Sequence, residues 1–222
     1  QRERSTQWVI EDDFAGERPA LETAGVIFTR DVRGYEAAKL RLLNGAHSTL
    51  AYIGLGLGHS TVAEAMADPG LSHFVEQLMR EDIAPSLLPP RGLDLESYIG
   101  DILARFANPA IEHRLAQIAW DGSQKLPYRI LDTVRDALEA TRPIDRLAVP
   151  IAAWLRFIEQ AAANGAAITD PFAERLLARG AEWRAIIGMR EIFGTLPDNP
   201  AFLSAVERAR RALSDPRGYA AL

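Results

Sequence analysis

The sequence contains no cysteine. That absence removes disulfides, thiolate nucleophiles and every cysteine-ligated metal site, and it fits a reducing, cytoplasmic compartment. A basic excess is missing too. The chain has 25 Lys and Arg against 30 Asp and Glu, a net charge of −5, so nucleic acid is not an expected partner. The local cluster Arg208, Arg210 and Arg211 reads as a solvated helix face. No clean apolar run offers itself to a membrane. The uncharged stretch from Asn44 to Ala63 could span one, but it carries His47, His59, several hydroxyls and four glycines, which points to a buried helix and turn. The opening residues QRERSTQWVIEDDF are charged and polar, unlike a secretory leader. The four histidines (47, 59, 73 and 113) show neither H-x-x-x-H nor H-E-x-x-H spacing, so no metal site is expected.

What is present describes a folded, mainly α protein: 48% hydrophobic, 25% charged, with helical periodicity nearly throughout. Two short β-like patches, Trp8-Val9-Ile10 and Val26-Ile27-Phe28, flank a loop punctuated by Gly16, Pro19 and Gly25. Residues 1–34 therefore read as a lead-in segment from something upstream, and 35–222 as the helical domain. One long helix is expected over Tyr35–Tyr52, closed by Gly54, Gly56 and Gly58. Ser60 or Thr61 suits the next N-cap, and Asp94 caps LESYIGDILARFA. IEHRLAQIA reads as a short helix, DGSQKLP as a loop, and EWRAIIGMREIF as a single helix.

The chemistry concentrates on the Tyr35–Tyr52 helix. With about 100° per residue and Lys39 at zero, Glu36 falls near +60°, His47 near +80° and Asn44 near +140°. Leu43 and Leu50 share that face, which suggests a partly buried polar stripe. Such a trio suits oxidation of a secondary alcohol or reduction of a ketone. A lysine in a water-poor pocket has its ammonium form disfavoured and can act as a base. Asn44 and His47 supply N–H donors for the reacting oxygen, and Glu36 can relay protons to solvent. The plain alternative is a surface pair Glu36–Lys39, a helix irregularity at Asn44-Gly45 and a satisfied core histidine.

The stretch KLRLLNGAHSTLAYIG, followed by VAEAMADP, resembles the signature of the long-chain mannitol dehydrogenase family, whose motif places lysine, asparagine five residues on and histidine three beyond. Lys39, Asn44 and His47 match it. The resemblance continues through ARFANPAIEHRLAQIAWDGSQKLPYRIL. It implies a multi-helical C-terminal domain of the 6-phosphogluconate dehydrogenase C-terminal-like type, with Lys39 as general acid/base and Asn44 and His47 polarising the substrate oxygen. It further implies NAD or NADP, no metal, and a cofactor bound mainly by an N-terminal Rossmann domain that these residues do not encode. The loop GLGLGH at Gly54–His59 is not that domain's fingerprint. Its third glycine falls one residue early, and it follows a helix rather than a strand.

In such enzymes the lysine matching Lys125 bonds hydroxyls remote from the reacting carbon. Gln117 and Trp120 depart from the arginine and histidine of the mannitol enzymes, and the segment looks more like the hexuronate reductases. His113 and Arg114 could then meet a substrate carboxylate. If Arg114 faces solvent, Lys125 is left as the only cation and a mannitol 2-dehydrogenase becomes the better reading. The implied activity is interconversion of a polyol or aldonate, mannitol or mannonate, with its keto form, fructose or fructuronate, leaning to fructuronate. A stand-alone helical sugar-binding or interaction module remains the alternative from another class.

Overall fold

The computed structural model describes residues 7–221. Its β structure is slight. Strand β1 (Trp8–Glu11) pairs in parallel with β2 (Val26–Thr29), with Trp8 opposite Val26 and Glu11 opposite Thr29. Everything after is helical, as the periodicity predicts. No helix among the described residues is long and apolar enough to cross a membrane, and no group of three or more His, Asp or Glu there could hold a metal ion.

At the centre lies α9 (Asp145–Ala163), continuously buried from Leu147 to Leu155. A helix apolar on all sides needs partners all round. α9 finds them in α13 (Pro200–Ala212), in α2 (Gly45–Gly56) and in the segment α7 (Gly122–Leu126) with its continuation.

The helix carrying the candidate residues begins earlier than expected. Asp31 accepts from Gly34 N at 3.0 Å and caps α1 at Val32, a stop-start signal that an acidic residue before a glycine partly hides. α1 (Val32–Ala38) runs without a break through Lys39–Asn44 into α2, but over those six residues the ladder widens to i→i+5. α2 ends where Gly58, at φ 85, donates to Leu55 O while His59 N reaches back to Gly54 O. GLGLGH is therefore a helix C-cap, which is why these glycines exist without a strand before them. Thr61, not Ser60, caps α3 (Val62–Ala67), and Glu64 returns the favour by accepting from Ser60 N at 2.7 Å. Asp68 ends α3 and caps α4 (Pro69–Gln77). Asp94 caps α5 (Leu95–Phe106) as its position predicts.

Three expectations are corrected. The helix read over IEHRLAQIA shrinks to α6 (Leu115–Ile118), because His113 and Arg114 are held extended: Val62 N donates to His113 O and Leu115 N to Ser60 O, an antiparallel bridge. The loop read over DGSQKLP is helical. α7 starts at Gly122 after Asp121 adopts φ 55, then continues through a second widened turn, Pro127–Leu131, into α8 (Asp132–Glu139). Pro127 has no N–H, so the ladder loses a bond there and widens instead of breaking. EWRAIIGMREIF is two short helices, α11 (Trp183–Ile187) and α12 (Arg190–Phe193), interrupted at Gly188.

Close approach fixes two glycines. A Cβ on Gly45 would stand 2.8 Å from the Arg129 carbonyl oxygen, so α2 and the Pro127–Leu131 turn touch backbone to backbone. A Cβ on Gly122 would stand 2.3 Å from Trp154 Nε1 and 2.5 Å from the Tyr52 hydroxyl, and Trp154 and Tyr52 are buried in the same core. Gly122→Ala is therefore expected to destabilise by about 1–3 kcal/mol through overpacking. A urea midpoint unchanged from the parent would show that Tyr52 and Trp154 can give way around Gly122.

Candidate active site

Asn44 closes the widened turn that begins at Lys39. Such a turn absorbs one residue, so everything after it rotates by about 100° relative to a regular helix. Relative to Lys39, Asn44 moves from about +140° to about +40° and His47 from about +80° to about −20°. A span of about 140° thus closes to about 60°. Leu50, expected beside the polar stripe, turns away and is fully buried. The irregularity expected at Asn44-Gly45 is present in the turn that ends at Asn44, and on this wheel it narrows the arc that Lys39, Asn44 and His47 occupy.

Their surroundings differ. Lys39 and Glu36 are exposed, Asn44 and His47 half-buried. The water-poor pocket expected around Lys39 is thus not built by the described residues, because the Lys39 side chain emerges at the surface. No ion pair joins Glu36 to Lys39 among the described residues. The His47 ring lies 4.4 Å from Phe106 and 5.7 Å, edge to face, from His113. Its Nε2 is buried without a hydrogen-bond partner, which a buried polar atom rarely tolerates unless a ligand completes it. Burial, followed by repulsion from His113, Arg129 and Arg105, holds the His47 pKa down at about 3. The imidazole is neutral across the physiological range and can donate a hydrogen bond without being an acid.

The second segment sorts itself unevenly. His113 is brought against His47 by the bridge to Ser60–Val62. Arg114, next along an extended segment, turns the opposite way. Its side chain is 69% exposed and pairs with Glu112 at 3.2 Å. Gln117 is exposed, and Trp120 presents 46% of its surface to solvent. Lys125 is more enclosed, with 22% of its side chain exposed and Asp121 Oδ2 at 3.9 Å. Burial and then Arg129 lower its pKa, against the opposing pull of Asp121 and Asp170. Asp170 is itself committed: it accepts from Ser123 N at 2.8 Å, Ser123 Oγ at 2.6 Å and Phe172 N at 2.8 Å, and so holds the start of α7.

Two cations escaped the sequence reading. Arg129 donates through Nη1 to Ser48 Oγ at 3.0 Å, directly beside His47, and Arg105 precedes the Phe106 that carries the His47 ring. Both bear on His47 electrostatically. The signal for Arg129 was available: it lies four residues after Lys125, the same helix face one turn on. Reading DGSQKLP as a loop hid it.

The chain matches the model of the Mannitol dehydrogenase C-terminal domain over residues 31–214. Among curated relatives, it is 42% identical over 212 residues to YeiQ, an uncharacterised oxidoreductase of Escherichia coli K12, covering 91% of this chain and 43% of that protein. It is 39% identical over 218 residues to D-mannonate oxidoreductase of the same organism, covering 94% and 45%. In three dimensions it resembles mannitol 2-dehydrogenase of Pseudomonas fluorescens, solved with NAD and D-mannitol, with a TM-score of 0.86, 37% identity, and coverage of 96% of this chain and 44% of that one. The chain thus spans less than half the length of the relatives it matches. The chain belongs to the mannitol dehydrogenase C-terminal domain family.

Proposed function

We propose that this chain is the substrate-binding and catalytic half of an NAD(P)-dependent oxidoreductase. It would interconvert an aldonate or polyol with its keto form, with fructuronate and mannonate as the preferred pair. The observation that carries the reading is the alignment of Lys39, Asn44 and His47 by the widened turn, with an orphaned His47 Nε2 at one end and a set of cations around it.

Among the described residues no strand, glycine loop and helix form a phosphate cradle, and Gly58 serves to end α2. These residues do not fit a dinucleotide; on this proposal the nucleotide is held by a Rossmann half of the same polypeptide, a reading supported by the chain's spanning less than half the length of its relatives. Hydride transfer is the nicotinamide's part.

Of the three aligned groups only Lys39 can move the proton. Asn44 does not titrate and His47 is pinned neutral. In oxidation the free amine of Lys39 takes the hydroxyl proton while the Asn44 amide and the His47 imidazole donate hydrogen bonds to the oxygen that is becoming negative. In ketone reduction the same ammonium returns it. Glu36, three residues before Lys39 and exposed, passes the proton on to water.

The substrate reading favours a sugar acid because Lys125 is not the only cation once Arg114 is set aside. In the full-length enzyme, fructuronate is expected to exceed fructose in kcat/KM by on the order of 10²-fold, since about 2.7 kcal/mol from a charge-assisted pair suffices. Side-by-side initial rates decide. Equal or better efficiency with fructose would return the assignment to a mannitol 2-dehydrogenase, the reading that the solvent-facing Arg114 favours.

A further inference from the structure

We propose that Arg129 is the residue that holds the carboxylate of a sugar-acid substrate, making it the specificity determinant of the site. The inference rests on the oxidoreductase reading above and deepens it.

Arg129 is half-buried at the widened turn Pro127–Leu131, locked against α2 where its carbonyl oxygen abuts Gly45. Most arginines among the described residues have a carboxylate: Arg41 has Asp136, Arg146 has Asp82 and Glu81, Arg190 has Asp198, Arg217 has Asp68. Arg129 instead donates to a neutral hydroxyl, Ser48 Oγ, and its Nε is buried without a partner. Tyr128 also hydrogen-bonds its side chain and Tyr52 lies near, but no Asp or Glu supports its charge, and burial opposes that charge. A partly buried guanidinium without an anion is costly unless a ligand supplies one.

Its position is equally specific. Arg129 bonds the residue beside His47 and repels both His47 and Lys125. It therefore lies near both His47 and Lys125, the residues proposed for the reacting oxygen and for the remote hydroxyls. The orphaned Nε and a terminal nitrogen form the fork that matches a carboxylate in two parallel hydrogen bonds. A neutral hydroxymethyl group in the same place would leave that fork half used. Arg114, the sequence candidate for this role, is spent on Glu112 at the surface.

The test uses the full-length enzyme with fructuronate and fructose, together with calorimetric binding of D-mannonate and D-mannitol. Arg129→Gln is expected to raise the fructuronate KM and the mannonate Kd by roughly 10²-fold, the cost of removing one partner of an enclosed charge pair. The fructuronate kcat, the fructose constants and the melting temperature should stay within a few-fold or a few degrees of the parent. Arg129→Lys should recover part of the affinity, keeping the charge and losing the fork. Ser48→Ala, which leaves Arg129 in place without its tether, should give a smaller change in the same direction.

Parallel losses for acid and neutral sugar, or a melting temperature that collapses in both Arg129→Gln and Arg129→Lys, would overturn the proposal and make Arg129 a strut between α2 and its neighbour. Unchanged fructuronate KM would overturn it as well. A parent enzyme that turns over neither sugar would bring down the oxidoreductase reading itself, a result distinct from any of these.

Discussion

Lys39→Ala is expected to lower turnover of the full-length enzyme by roughly 10²–10⁴-fold, the range for losing a general acid/base. KM should change little, because under the proposed function the substrate's other polar groups are held by other residues. The fold should be untouched: Lys39 is exposed, and its side chain makes no hydrogen bond to another described residue. A small primary amine should restore part of the rate by entering the space left behind. Lys39→Arg should not, since a guanidinium does not deprotonate near neutrality. Measured kcat with and without added amine checks this, and near-normal turnover in Lys39→Ala would remove Lys39 from the mechanism.

Acid sensitivity of the fold is the second large effect. His47 has an ordinary pKa of 6.5 in the unfolded chain and about 3 in the folded one. Between those values the unfolded state binds the proton and the folded state refuses it. His47 therefore favours folding fully above pH 6.5, and that contribution is lost as the pH falls toward 3. By pH 4.5 the loss is about 3 kcal/mol, taking about 1.4 kcal/mol per pH unit below 6.5. Two aspartates with shifted pKa values do not mimic this window. Asp68, held below its usual range by Arg217, loses its contribution only below pH 3.8. Asp82, raised by burial against the pull of Arg146, works in the opposite direction as it protonates. Urea midpoints from pH 8 to 4.5 should fall steeply in the parent and more gently in His47→Gln. Equal slopes would mean that His47 charges freely in the folded protein, and the neutral-donor role assigned to it would fail.

The same two residues show where the sequence stopped being legible. Lys39, Asn44 and His47 could be chosen as residues because they match the motif of the family that KLRLLNGAHSTLAYIG resembles; spacing alone left a surface pair, a helix irregularity and a core histidine equally open. Their geometry could not, because a wheel of about 100° per residue assumes a regular ladder. Asn44-Gly45 allowed an irregularity, but not its kind or extent: those go with tertiary contacts, Gly45 against the Arg129 carbonyl and Arg41 reaching across to Ser86 and Asp136. The DGSQKLP segment failed for the same reason in reverse. Gly, Ser and Pro are turn formers locally, yet Asp170 gathers the amide and hydroxyl of Ser123 and makes a helix start of them.

By itself, then, the sequence determined the class of fold and most of the caps, because periodicity and capping side chains are local properties, and its motif named the trio proposed as reactive. The tertiary structure decided which cations meet that trio. An extended bridge sent His113 inward and Arg114 outward, and a helical turn where a loop was expected carried Arg129 to His47. Charge density in a site depends on which side chains arrive from distant segments, and direction of arrival is set by packing, not by residue type.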